Sequence, residues 1–145
     1  IGAMSWSGEY KRVTSEMLRE SDLPRAAREL VEFLARDKYR WYKAYPTLAY
    51  FTLMRKALRK FHELLRPGGR VGLIVSSRVT FYRYRTRDVV ARFDVAGMFQ
   101  EMAQSAGFTV ERRVDVALDK RLELARPRAL DPYYESVLVL AKPNS

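Results

Sequence analysis

Ten consecutive residues concentrate the groups that could engage a polyanion. Arg78-Val79-Thr80-Phe81-Tyr82-Arg83-Tyr84-Arg85-Thr86-Arg87 carries four arginines and three aromatics. A guanidinium pairs with a phosphate through two parallel hydrogen bonds. Aromatic rings offer stacking surfaces to unpaired or flipped bases, worth about 1–3 kcal/mol each in single-strand binding. An enzyme that modifies a base within a duplex must first flip it out, so both group types belong near such a site. The expected nucleic-acid contacts are therefore Arg78, Phe81, Tyr82, Arg83, Tyr84, Arg85 and Arg87. The same composition also suits a solvated hairpin or lid whose tyrosines pack on the protein, and both readings stay open here.

Other chemistry is sparse. Lys38-Tyr39-Arg40-Trp41-Tyr42-Lys43 is a second basic and aromatic cluster. It reads either as nucleic-acid contact or as helix-end anchors with amphipathic tips. Cysteine is absent and His62 is the single histidine, so neither a disulfide nor a zinc site is expected. His62 lies four residues before Arg66, near a predicted helix C-terminus where a cation is favoured, and reads as structural. The 27 basic residues exceed the 17 acidic ones by a net +10, which favours a polyanionic partner, most often nucleic acid.

The elements that must position these groups fit one domain-sized core. No apolar run reaches the about 20 residues that span a bilayer, and the first residues lack a signal peptide's basic stretch and apolar block. Ile1–Ala3 read as a cloning remnant before Met4. Residues 1–45 are expected to be helical. Val13, Met17 and Leu18 give a short apolar face, and Asp22 is the expected N-cap of a helix with Pro24 in its first turn and Ala27, Leu30, Val31 and Leu34 on its inner face. Pro46 opens a further helix whose face is Phe51, Met54, Leu58, Phe61 and Leu65, and Arg66-Pro67-Gly68-Gly69 ends it. Val71–Val75 is a continuous apolar run, the pattern of an inner strand buried on both faces. Asp94 caps a helix carrying Val95, Phe99, Met102 and Ala106, closed at Gly107. From Phe108 the period becomes two, with Val110, Val114, Val116 and Leu118 on one face and Thr109, Glu111, Arg113 and Asp115 on the other. Residues 119–131 read as a charged connection, and Ser136–Ala141 as another inner strand. Two successive strands with no helix between them are antiparallel, and the more buried one should insert between the earlier inner strand and the half-exposed one.

That layout resembles the C-terminal half of class I S-adenosylmethionine-dependent methyltransferases. Leu65-Arg66-Pro67-Gly68-Gly69-Arg70 matches the turn such enzymes carry before their fifth strand, and Ala106-Gly107-Phe108 matches the start of their sixth. Within the superfamily the likeness is to DNA methyltransferases that modify exocyclic amino groups. Val75-Ser76-Ser77-Arg78 is similar to their Val-Gly-(Asn/Asp)-Ser, and Glu135-Ser136-Val137-Leu138-Val139-Leu140-Ala141-Lys142 to their last strand. Glu9-Tyr10-Lys11-Arg12-Val13 resembles the segment after their catalytic motif.

The resemblance implies an α/β fold: a partial Rossmann-like methyltransferase sheet with a helical N-terminal half and a reversed C-terminal strand. Residues 46–145 would be the C-terminal half of that domain. It implies S-adenosylmethionine as cofactor, but the family's Gly-rich loop, its ribose-binding acid and its Pro-Pro motif have no counterpart in these residues. No catalytic, cofactor-binding or metal-ligating residue is therefore assigned. The expected partners are DNA or RNA and a complementary polypeptide carrying the cofactor-binding half, or a second copy of the chain, in the cytoplasm and without membrane contact. A non-catalytic nucleic-acid-binding module derived from a methyltransferase, or half of an RNA or small-molecule methyltransferase, would share these features.

Overall fold

The structure, a computed structural model, describes residues 11–118 and 133–144. The readings placed on Ile1–Ala3, on Glu9 and Tyr10, and on 119–131 lie outside the described residues. The chain divides into two compact units, Ile1–Thr52 and Leu53–Ser145.

The first unit is helical. Helix α1 (Ser15–Ser21) starts at Thr14, whose hydroxyl accepts from the Met17 N–H at 3.2 Å. Asp22 does not cap the next helix, contrary to the expectation. It closes α1 in the left-handed conformation (φ 51°), a geometry that aspartate tolerates, and its N–H reaches back to Arg19. Pro24 then takes the N-cap position of α2 (Arg25–Arg36). The four residues expected on its inner face, Ala27, Leu30, Val31 and Leu34, are all buried. Asp37 stops α2. One carboxylate oxygen accepts from the N–H groups of Tyr39 and Arg40, and the other from the Arg40 guanidinium at 2.7 Å. Partial burial works to raise this carboxyl's pKa, but those hydrogen bonds outweigh it and hold it below the ordinary value. A 3₁₀ turn (Trp41–Lys43) follows and runs into α3 (Ala44–Leu64), which starts two residues before Pro46 and contributes to both units.

The second unit is built on a sheet. After α3, Gly68 adopts φ 76°, which a side chain would resist, and the chain enters β1 (Arg70–Ser76). A hairpin follows, β2 (Val79–Tyr82) and β3 (Val89–Phe93), then α4 (Val95–Ser105), β4 (Thr109–Leu118) and β5 (Tyr133–Ala141). The sheet order is β1-β5-β4, with β5 antiparallel to both neighbours. The last strand thus inserts where its apolar pattern demands. Ser136, Leu138 and Leu140 are wholly buried on the face that α4 covers. Asp94 caps α4 by accepting from the Gly97 N–H, and Gly107 turns the chain at φ 101°. A side chain there would meet the His62 ring, which packs edge-on against Phe108 at 5.1 Å. Lys142 donates to the carbonyls of His62 and Leu65 at 2.7 and 3.0 Å, placing a cation at the negative end of α3.

Two expectations about the strands change. β1 is an edge strand here, and Ile74 is 68% exposed, so the run 71–75 is buried on one face only. Continuous apolar runs signal two covered faces, and among the described residues one of them has no cover. In β4 the register shifts between Val110 and Arg112, so Val110 lies opposite Leu140 while Val114 lies opposite Val137. The extra residue turns the strand over. Val110 therefore shares a face with Arg113 and Asp115, not with Val114 and Val116.

Candidate functional site

The stretch expected to touch nucleic acid is the hairpin β2–β3, which leaves the C-terminal end of β1. It divides into three levels. At the base, the Arg78 guanidinium lies 5.1 Å over the Tyr134 ring. In the body, Phe81 packs edge-on against Phe93 at 6.1 Å, and Tyr82 is half-buried beside a register shift. At the tip, Arg83, Tyr84, Arg85 and Arg87 are exposed, Tyr84 by 71%. The tip is closed by backbone bonds from Arg83 N–H to Asp88 and from Arg87 N–H to Arg83. Arg85 and Arg87 sit at φ 78° and 63°. Left-handed backbone costs a non-glycine residue about 1–2 kcal/mol, so the tip holds arginines where glycine would be more comfortable. The Thr86 hydroxyl donates to the Asp88 carboxylate at 2.9 Å.

Beneath the hairpin lies a cleft of about 490 Å³ that no sequence pattern signals. Ser77, Arg78, Arg92 and Phe93 line it from β1 and the hairpin, and Asp94, Arg113, Asp115 and Tyr134 from α4's cap and the sheet. Arg113 is its hub. Both arms of the guanidinium reach Asp94 at 3.0 Å, its Nε reaches Asp115 at 3.0 Å, and one arm also reaches Gln100. The hydrogen bonds to Asp94 and then Asp115 raise the Arg113 pKa further. In return Arg113, followed by Ser136, lowers that of Asp115. Ser136, fully buried, gives its one hydroxyl hydrogen to Asp115 at 2.5 Å and accepts from Ser77 at 2.9 Å. Ser77 in turn binds β5 through its N–H and the first turn of α4 through its carbonyl.

The β4 bulge makes this network possible. Without it Arg113 and Asp115 would face away from Ser136. The signal available in sequence was Asp94 as a helix cap; what the cap's second oxygen and its partner do was not readable. Chemically, both carboxylates are committed to a guanidinium, so neither is placed to act as a general base. Three guanidiniums against two carboxylates leave the cleft net positive, which suits an anion. The described residues do not fit S-adenosylmethionine. Among them no glycine-rich strand-to-helix turn occurs, and both carboxylates of the cleft are engaged by Arg113.

No protein-family model matches the chain, and no curated protein matches it. Its fold is similar to two crystal structures of a candidate DNA modification methylase from Thermus thermophilus. The complex with S-adenosyl-L-methionine superposes with a TM-score of 0.52 at 19% identity, covering 72% of this chain and 41% of that one. The selenomethionine derivative gives 0.51 at 19%, covering 79% and 50%. The chain thus spans half or less of the protein whose fold it shares. The fold is a partial methyltransferase fold of mixed α/β type. Among the described residues no helix is long and apolar enough to cross a membrane.

Proposed function

We propose that this chain is the DNA-side part of an S-adenosylmethionine-dependent methyltransferase acting on an exocyclic amino group. It supplies half of the sheet and grips DNA through Arg78, Phe81, Tyr82, Arg83, Tyr84, Arg85 and Arg87. The observation that carries the reading is the basic hairpin rising from the C-terminal end of β1, beside the reversed strand β5. Ligands bind at that end of the strands in open α/β sheets. The cofactor-binding and catalytic motifs belong to the other half of such an enzyme, carried by the same polypeptide or by a complementary one, and the edge of β1, where Ile74 is exposed, is the place for that half to join the sheet.

Fluorescence anisotropy with duplex DNA at stepped salt tests the grip. Replacing Arg83, Arg85 and Arg87 together with alanine should flatten the plot of log affinity against log salt by up to about 2.7 units, at about 0.9 per lost phosphate contact. An unchanged slope removes the hairpin from the site. A second reading, a non-catalytic nucleic-acid-binding module, is favoured by the commitment of both cleft carboxylates to Arg113. Methyl transfer from labelled cofactor to DNA, assayed with a polypeptide carrying the Gly-rich and Pro-Pro motifs, separates the two.

A further inference from the structure

The first unit holds a different arrangement of the same chemistry. Four cations there rest on aromatic rings: Lys11 at 5.4 Å from the centre of Tyr45, Arg12 at 4.1 Å from Trp41, Lys38 at 5.6 Å from Tyr39 and Lys43 at 5.9 Å from Tyr42. The 3₁₀ turn holds two of these rings, Trp41 and Tyr42, edge-on at 6.5 Å, and Tyr39 lies two residues before it. Tyr39 is 62% exposed and Tyr42 41%. A cation seated on a ring keeps its full charge. No acidic residue occurs from Lys38 to Thr52, and Asp37 is committed to Arg40 and to the turn. The stretch from Lys38 to Thr52 is therefore net positive, which suits an external anion.

We infer that this ring-and-cation cluster is a second nucleic-acid surface, one that takes unpaired nucleotides. A nucleotide is a flat π face joined to a phosphate, and each unit of the cluster is a ring joined to a cation. Duplex DNA hides its base faces and would use the cations alone, so the rings select single strand. An anionic lipid surface would also attract lysines and tyrosines, but insertion needs Trp, Phe or Leu on an apolar face, and Trp41 carries the Arg12 guanidinium on its ring. The only aliphatic residue from Asp37 to Tyr45 is Ala44, which is fully buried. The inference uses no residue of the hairpin and goes beyond the function proposed for it.

The test is anisotropy of a labelled oligothymidine and of a labelled duplex, with the full chain at stepped salt. The double variant Tyr39→Ala, Tyr42→Ala should weaken oligothymidine binding at least about tenfold without altering the salt slope or duplex binding. Tyr39→Phe with Tyr42→Phe should keep wild-type affinity, since stacking needs the ring and not the hydroxyl. Lys11→Gln, Lys38→Gln and Lys43→Gln together should flatten the single-strand slope by about 2, at about 0.7 per contact. These lysines are exposed, so this variant keeps the test intact if the alanine pair disturbs the turn. Unchanged oligothymidine affinity and slope in both sets overturns the inference, even if the hairpin arginine variant has lost duplex binding and the proposed function stands. Loss in the ring and lysine variants with an unaffected hairpin variant has the opposite meaning. Binding to phosphatidylserine vesicles that the tyrosine variant loses, with oligothymidine affinity unmoved, also overturns it.

Discussion

Arg113 and the hairpin-tip arginines are the same residue type within one unit, and their circumstances are opposite. Arg113 is three-quarters buried in its side chain and bonded to Asp94, Asp115 and Gln100. Arg83, Arg85 and Arg87 are exposed, and the carboxylate of the tip, Asp88, accepts from the Thr86 hydroxyl. The difference teaches that net charge alone does not locate a binding surface. What matters is whether acids of the same chain have already claimed each guanidinium. Over residues 38–87 the only acidic residue is Glu63, against thirteen lysines and arginines. Arg113 lies outside that stretch, between Glu111 and Asp115.

The comparison breaks if the two classes respond alike to substitution. Arg113→Met should cost about 1–2 kcal/mol in urea unfolding, a figure discounted because the partner carboxylates are 44–59% exposed. The alanine triple at Arg83, Arg85 and Arg87 should change stability by less than about 0.5 kcal/mol, the range usual for surface sites. Equal destabilisation would make the tip structural.

Ser136→Ala should cost about 1 kcal/mol, since it removes a buried hydroxyl that bonds both Asp115 and Ser77. The same network sets an acid limit. The Asp115 pKa is lowered in the folded chain, so its contribution is present above the unfolded carboxyl value of about 4 and is lost as pH falls through the folded one. Stability should therefore fall on acidification below about pH 4, and Arg113→Met should flatten that fall. A variant whose stability tracks wild type through this range would detach Asp115 from Arg113.

The smallest effect concerns backbone. Arg85→Gly and Arg87→Gly remove left-handed strain, and glycine's greater unfolded freedom offsets part of the gain. The expected result is a stabilisation of at most a few tenths of a kcal/mol with weaker duplex binding. Clear destabilisation of both would mean that these side chains hold the tip.

Much of this scaffold was legible because the relevant signals are local. Asp94 before an apolar helical face reads as a cap, and Ser136–Ala141, apolar on both faces, reads as the strand with two neighbours. Asp22 misled because an acid before a helix looks the same whether it opens that helix or closes the one before. The β4 bulge was not read from the alternation of β4. Val110, Val114 and Val116 share one parity in sequence, with Arg112 as a lone interruption, and only pairing with β5 shows that one residue has been inserted there. The cleft network depends on that bulge, so it too was out of reach. Tyr134 joined the site for a related reason: its pairing with Ala117 crosses strands that the sequence does not connect locally.

The insertion of β5 between β1 and β4 has a consequence for the order of assembly. Every hydrogen-bonded pair in that sheet runs through β5, which follows both of its neighbours in sequence. Among the described residues β1 and β4 have no sheet partner until residues 133–141 emerge, and the pairing of Arg70 with Ala141 closes a loop of about seventy residues. Non-local pairing of this kind slows folding, and edges left open meanwhile invite aggregation. The central strand of the finished sheet is the last to arrive, so a ribosome-bound chain that stops at Leu118 carries the hairpin and α4 but none of the three-stranded sheet.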